Sequence, residues 1–137
     1  METAIIYVQL AIKLNKIHSF GRHISRLLKT IIKMKEITVE ELKQKIDNQE
    51  DFQLIDVREE FEYETSNLDG ENIPLAQILI EKDKISKEKP VIIHCRSGKR
   101  SAQAILLLER EGYDNLANLA GGILAWRDTF DPEMPVY

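Results

Sequence analysis

From Lys35 to the end of the chain, short apolar runs alternate with amphipathic helical patterns, and this alternation restricts the fold more than any other feature. The clearest run is VIIH at 91–94, which is almost wholly apolar, as is typical of a strand buried on both faces of a parallel sheet. A helical pattern follows over 101–111 and stops at Gly112. Repeated strand-then-helix order predicts parallel pairing and therefore an α/β domain of three layers.

The other predicted elements follow from the same reasoning. Thr38 is expected to cap the helix over 39–48, with Glu41 completing a capping box. The further predicted strands lie at 36–38, 52–57 and 115–119, with a loop or minor strand at 72–74. The further predicted helices lie at 59–64, 75–82 and 123–129. The buried face predicted for the helix at 101–111 consists of Ala102, Ile105, Leu106 and Leu108.

Charge separates the first part of the chain from the rest. Residues 1–35 carry about +6 and the remainder −10, within a net charge of −4. Residues 1–34 show an amphipathic helical pattern with a basic face. Their apolar run is shorter than the ~20 residues that cross a bilayer. Three readings stay open: a helix that docks on the domain or on a partner, a helix that associates weakly with a membrane surface through residues 1–33, or a dispensable segment upstream of a true start at Met34. The domain itself is placed at 35–137.

Residue counts restrict cofactors, partners and compartment. A single cysteine, Cys95, forms no intramolecular disulfide and no CxxC zinc site, and the three histidines lack metal-ligand spacing. We therefore expect no metal, no cofactor, no membrane span and a reducing, cytoplasmic setting. No nucleic-acid partner is expected either, because the domain is acidic and the basic segment lacks interleaved aromatic residues.

The segment HCRSGKR at 94–100 carries the candidate chemistry. Cys95 follows a buried strand, and a helix begins a few residues later, so the segment must turn tightly at the edge of the sheet where ligands bind in α/β folds. Gly98 permits that turn, and backbone N–H groups with Arg96, Lys99 and Arg100 favour an anion inside it. A thiol in such a field is expected to have a lowered pKa and to react as thiolate. A lone cysteine is usually a buried apolar residue, but three cations within five residues favour a nucleophile here.

The size of the turn favours sulfur over phosphate. Four residues separate Cys95 from Arg100, one fewer than in the phosphate cradles of tyrosine-phosphatase-like sites. Phosphoryl transfer also commonly needs a general acid for the leaving group; no sequence pattern identifies one, and the acids around 59–64 stay open as candidates.

With these residues in place, 35–137 resembles a single-domain rhodanese of the rhodanese-like sulfurtransferase family. The segments that carry the resemblance are DVREEFEYE at 56–64, NIPL at 72–75, VIIHCRSGKRSAQA at 91–104 and NLAGGILAW at 118–126. The resemblance implies a five-stranded parallel sheet flanked by helices, with Cys95 as sulfur acceptor and a substrate-binding loop whose members are Arg96, Ser97, Gly98, Lys99 and Arg100. It also implies that Asp56 and Arg58 brace this loop. The tail DPEMPVY is similar to rhodanese domains attached to activating enzymes of ubiquitin-like proteins.

The predicted function is transfer of sulfane sulfur from thiosulfate or a protein persulfide to a thiophilic acceptor through a persulfide on Cys95. The alternative is a non-catalytic or sulfur-carrier module that works within a protein complex, with a sulfur-relay protein as partner. A phosphatase is the third and weakest hypothesis.

Overall fold

A computed structural model describes residues 34–137 of the 137-residue chain. The predictions made for residues 1–33 lie outside the described residues. Five strands are present in this part of the chain: β1 Glu36–Ile37, β2 Gln53–Asp56, β3 Glu71–Asn72, β4 Val91–His94 and β5 Leu116–Leu119. The α-helices are α1 Val39–Asp47, α2 Glu60–Thr65, α3 Lys99–Arg110 and α4 Gly122–Phe130. None of the described helices is long and apolar enough to cross a membrane.

The five strands form one parallel sheet in the order β1-β5-β4-β2-β3. β4 lies at its centre and pairs with β2 and β5, so that Ile92 is aligned with Leu54 and with Ala117. All four residues of β4 are buried, as the apolar run predicted. Because parallel strands end at the same edge, the residues after β2, β4 and β5 meet there.

Alternation along the strands divides the core between two faces of the sheet. Ile92 and Ala117 belong to an apolar cluster with Leu42 of α1, against which Ala125 and Trp126 of α4 pack. The intervening strand residues, such as Ile93, point to the opposite face, which α3 covers with Ile105 and other buried side chains. This arrangement confirms the predicted parallel sheet with flanking helices.

The capping box at the start of α1 is present as predicted. The Glu41 backbone N–H donates to Thr38 Oγ1 at 3.1 Å, and the Thr38 N–H donates to the Glu41 carboxylate at 2.8 Å. Together these bonds satisfy two of the backbone donors that a helix start leaves without partners.

The helix predicted at 75–82 is wrong. The structure has two short 3₁₀ helices there, Leu75–Gln77 and Lys82–Lys84. Tertiary hydrogen bonds fix both ends of this segment, since the Leu75 N–H donates to Val57 O at 3.0 Å and Lys82 O accepts from the Tyr113 hydroxyl at 2.6 Å. A segment held in this way adopts tight 3₁₀ turns in place of a continuous α-helix.

The buried face predicted for the helix after Cys95 is wrong in two of its four members. Ala102 and Leu106 are half-buried, whereas Ser101 and Ala104 are buried together with Ile105 and Leu108. Counting apolar residues misses Ser101 because a hydroxyl-bearing side chain is usually assigned to the surface.

Candidate active site

Cys95 directly follows β4, and its thiol is enclosed by the turn that leads into α3. The residue is only 1% exposed. The Gly98 N–H donates to Cys95 Sγ at 3.1 Å, and the Ser101 hydroxyl lies 3.4 Å from the same sulfur. Gly98 has φ +104°, a backbone conformation that L side chains rarely adopt, and it immediately precedes α3. The tight turn expected from RSGKR is therefore present, with donors directed at the sulfur.

The pKa of the Cys95 thiol reflects two opposing effects. Burial raises this pKa, because a buried charge loses hydration. The contact with the Ser101 side chain and the hydrogen bonds from the backbone N–H groups of Ser101, Gly98 and Ser97 outweigh burial, so the pKa lies below its ordinary value. The turn thus favours the thiolate, which is the reactive form of cysteine.

Helix α4 holds the outer side of the same turn. The Ile123 N–H donates to Cys95 O at 2.9 Å, and the Leu124 N–H donates to Arg96 O at 3.1 Å. Gly122 makes this approach feasible, because a Cβ built there would lie 2.5 Å from both carbonyl oxygens. It also has φ +60°, which adds a second requirement for glycine. With its carbonyl oxygens bonded on the outside, the turn keeps N–H donors on the inside.

A buried polar pair connects the turn to β5. The Ser101 hydroxyl donates to Asn118 Oδ1 at 2.6 Å, and Asn118 Nδ2 donates to Gly98 O at 3.1 Å. Both side chains are buried, so each depends on the other to satisfy its polar atoms. Asn118 therefore fixes the Ser101 hydroxyl, which lies beside the thiol, and Gly98, whose N–H donates to the thiol sulfur.

Arg100 is held by a carboxylate from α2. Its Nη1 and Nη2 lie 2.7 and 2.9 Å from the two oxygens of Glu62, which is the bidentate geometry of a strong charged pair. The hydrogen bond from Arg100 outweighs burial and keeps the pKa of Glu62 below its ordinary value. Glu62 is 6% exposed and also accepts the Glu59 N–H at 2.9 Å. The Arg100 guanidinium therefore ties the first turn of α3 to α2.

Asp56 and Arg58 form a second charged pair, which is fully buried. Arg58 Nη2 lies 2.7 Å from Asp56 Oδ2, and the two side chains are 1% and 0% exposed. Arg58 also donates to Glu62 O at 3.3 Å and to Ser66 O at 2.7 Å. The pair thus holds α2, and α2 in turn holds Arg100 through Glu62.

Comparison with known proteins assigns this arrangement to a family. The model of the rhodanese-like domain matches residues 38–129, which include Cys95 and every contact of the turn described above. The chain belongs to the rhodanese-like family. A sulfurtransferase of Allochromatium vinosum is 40% identical over 92 residues, covering 66% of this chain and 86% of that protein.

Further relatives of this rhodanese-like chain differ in length. The adenylyltransferase and sulfurtransferase MOCS3-2 of Zea mays is 32% identical over 110 residues, which cover 74% of this chain but 23% of that protein. Among solved structures, a rhodanese-like domain protein from Staphylococcus aureus has a TM-score of 0.65 at 31% identity, covering 76% of this chain and 99% of the other. Sulfurtransferases and rhodanese folds thus recur among its relatives.

The predicted site residues of the rhodanese-like domain lie at one edge of the sheet, in different settings. Arg96, Ser97 and Lys99 are exposed on the turn, whereas Gly98 is half-buried. Arg100 is occupied by Glu62, so its substrate-binding role stays a prediction alongside the bracing contact that it makes.

Sequence reasoning missed three residues of the site. Ser101 and Asn118 were missed because their contact joins positions 17 residues apart. Gly122 was not assigned a role, although the GG pair in NLAGGILAW was an available signal of a close backbone approach.

His94 is a buried histidine below the turn. Neither ring nitrogen has a hydrogen-bond partner within the described part of the chain, and Nε2 lies 3.7 Å from Asp56 Oδ2. Burial lowers the pKa of His94 from its ordinary 6.5, and Asp56 only partly opposes this. His94 is therefore neutral in the folded protein at neutral pH.

This neutral histidine predicts a pH-dependent stability. The unfolded chain protonates His94 more readily than the folded chain, so the free energy of unfolding is highest above pH 6.5 and falls as the pH drops below it. The expected slope is at most about 1.4 kcal/mol per pH unit. Urea unfolding between pH 7.5 and pH 5 (about the range over which a histidine titrates) should show this loss, and His94→Gln should reduce it.

The difference between the two proteins isolates His94. Other titrating groups contribute equally to the two slopes, so their contributions cancel. The pKa of Glu62 is held below 4.5, so its stabilising contribution is lost only at a pH lower than that of histidine titration. Parallel slopes for wild type and His94→Gln would contradict a neutral, buried histidine.

Proposed function

We propose that the protein transfers sulfane sulfur through a persulfide on Cys95. The observation that carries this proposal is the set of hydrogen-bond donors on Cys95 Sγ, which stabilises a thiolate within a family that contains sulfurtransferases. The same donors suit the terminal sulfur of a persulfide anion. A reactive free thiol is preserved in a reducing compartment, which favours a cytoplasmic location in this proposal.

The reaction divides into two displacements. The Cys95 thiolate attacks the outer sulfur of thiosulfate, the sulfur–sulfur bond of the donor breaks, and sulfite leaves with the electron pair. The product is Cys95–S–S⁻. A thiophilic acceptor then attacks the outer sulfur, and the Cys95 thiolate leaves. The enzyme returns to its starting state with no oxidant or reductant consumed.

Proton transfer argues against phosphoryl transfer at this site. A phosphatase commonly requires a general acid for the leaving group, and among the acids around 59–64 Glu62 is paired with Arg100 of the loop. Its lowered pKa keeps it ionised at neutral pH, so it has no proton to donate. Sulfur transfer from thiosulfate releases sulfite, which needs no such proton.

The donor and acceptor follow from the site and the relatives together. The exposed cations Arg96 and Lys99 suit a small anionic donor such as thiosulfate. The maize relative combines adenylyltransferase and sulfurtransferase in its name, which favours a protein partner in a sulfur relay. The experiment therefore includes both a small anionic donor, thiosulfate, and a protein persulfide.

Intact-mass spectrometry tests the proposal. After incubation with thiosulfate, the protein should gain the mass of one sulfur atom, and cyanide should remove that mass while thiocyanate appears. A parallel incubation with a cysteine desulfurase and cysteine supplies a protein persulfide. If the adduct forms in the incubation with desulfurase and cysteine but not with thiosulfate, the protein is a sulfur carrier. If it forms in neither incubation, sulfur transfer through Cys95 is wrong.

A further inference from the structure

The segment 131–137 returns from the end of α4 to the active-site turn. The Pro135 carbonyl accepts a hydrogen bond from the Ser66 hydroxyl, and the main-chain oxygen of Tyr137 accepts one from Arg96 Nε. The Tyr137 ring meets the Phe61 ring edge-on, with centroids 6.0 Å apart and an interplanar angle of 65°. Two hydrogen bonds and one aromatic contact thus hold this tail against Arg96 of the turn and against α2 and the residue after it.

These contacts change the cations around the thiol. Arg96 adjoins Cys95 and is one of the cations expected to attract an anionic donor. Its Nε donates to the tail, while the Arg100 guanidinium is taken by Glu62. Both guanidinium groups of the turn are therefore engaged while the tail is docked.

The docking is built from exposed groups. Phe61 is 59% exposed and Tyr137 68% exposed, even with their rings in contact. Contacts between such exposed groups are weak, so docked and released tails are close in free energy. A weakly held segment beside a nucleophile can adjust access to it without blocking it.

We propose that residues 131–137 form a strap that engages Arg96 and thereby disfavours small anionic sulfur donors, an inference that rests on the proposed sulfur transfer. The strap determines specificity through Arg96 and takes no part in the chemical step. Release of Tyr137 from Phe61 frees Arg96 Nε to donate to an anion at the turn.

Shortening the tail tests the strap directly. A chain that ends at Pro135 lacks Tyr137, and its KM for thiosulfate should fall about two- to fivefold with kcat unchanged, the size expected for an exposed charged contact. Phe61→Ala, which removes only the ring partner, should shift KM in the same direction. In an Arg96→Ala background the shortened tail should leave KM unchanged, since the group that it releases is absent.

Alkylation gives a readout that does not depend on sulfur transfer. Cys95 is the only cysteine in the sequence, so total alkylation reports on this thiol alone. Shortening the tail should increase the rate of Cys95 alkylation by the anionic reagent iodoacetate more than the rate of alkylation by the neutral iodoacetamide. This ratio remains measurable if no persulfide forms, so failure of the proposed function and failure of the strap are distinguishable.

Two results would overturn the strap. The first is an unchanged KM together with an unchanged ratio of alkylation rates. The second is an equal acceleration of both reagents that persists in Arg96→Ala, because the tail would then only shield the thiol sterically.

Discussion

Replacing Cys95 by serine should lower thiocyanate formation from thiosulfate and cyanide by on the order of a thousandfold or more, because the attacking sulfur is removed. The fold should remain, since a hydroxyl accepts the Gly98 N–H in the same place, and the free energy of unfolding should change by less than about 1 kcal/mol. Steady-state rates and urea unfolding of the same preparations check both statements.

Ser101→Ala is the matched control for this experiment. It keeps the nucleophile but removes the hydroxyl that lies 3.4 Å from Cys95 Sγ. The thiol pKa should rise, and turnover should persist with its pH profile displaced toward higher pH. Substantial turnover in Cys95→Ser would mean that another group accepts the sulfur.

Replacing Arg58 by methionine should destabilise the protein by about 3 to 5 kcal/mol, because Asp56 would keep a buried carboxylate without its partner. The loss also removes the hydrogen bonds from Arg58 to Glu62 O and Ser66 O, which hold α2. Urea unfolding at neutral pH measures the change.

An exposed pair provides the comparison. Lys43 and Asp47 of α1 are 44% and 58% exposed, so Lys43→Met should cost less than about 1 kcal/mol. The double variant Asp56→Asn, Arg58→Met should recover part of the loss, because it removes the unpaired charge. If Arg58→Met costs no more than Lys43→Met, the buried pair does not stabilise the fold.

Local patterns predicted the elements whose formation depends on nearby residues. The VIIH strand has the predicted bounds, and the capping box of Thr38 and Glu41 is present. Each signal lies within a few residues, where hydrophobic pattern and capping chemistry act directly. The helix predicted at 75–82 failed because contacts from Val57 and Tyr113, distant in sequence, fix its ends.

The site was predictable only in part for the same reason. The turn around Cys95 was predicted from its own residues, but the groups that hold it come from other elements. Glu62 accepts hydrogen bonds from Arg100, which lies 38 residues later in the sequence, and Asn118 accepts one from Ser101, which lies 17 residues earlier. The sequence interpretation credited backbone N–H groups and cations together with lowering the thiol pKa. Backbone N–H groups of Ser101, Gly98 and Ser97 are indeed among the causes that lower it, but the Ser101 side chain, which leads them, was not predicted.

The contact between α4 and the turn also affects the order in which the site is completed during synthesis. A ribosome makes the turn before it makes Gly122, Ile123 and Leu124, whose backbone anchors the turn from outside. A nascent chain that ends at Leu119 already contains all five strands but lacks these donors. The carbonyl groups of Cys95 and Arg96 therefore gain their partners only when α4 has emerged, so the turn is anchored late in synthesis.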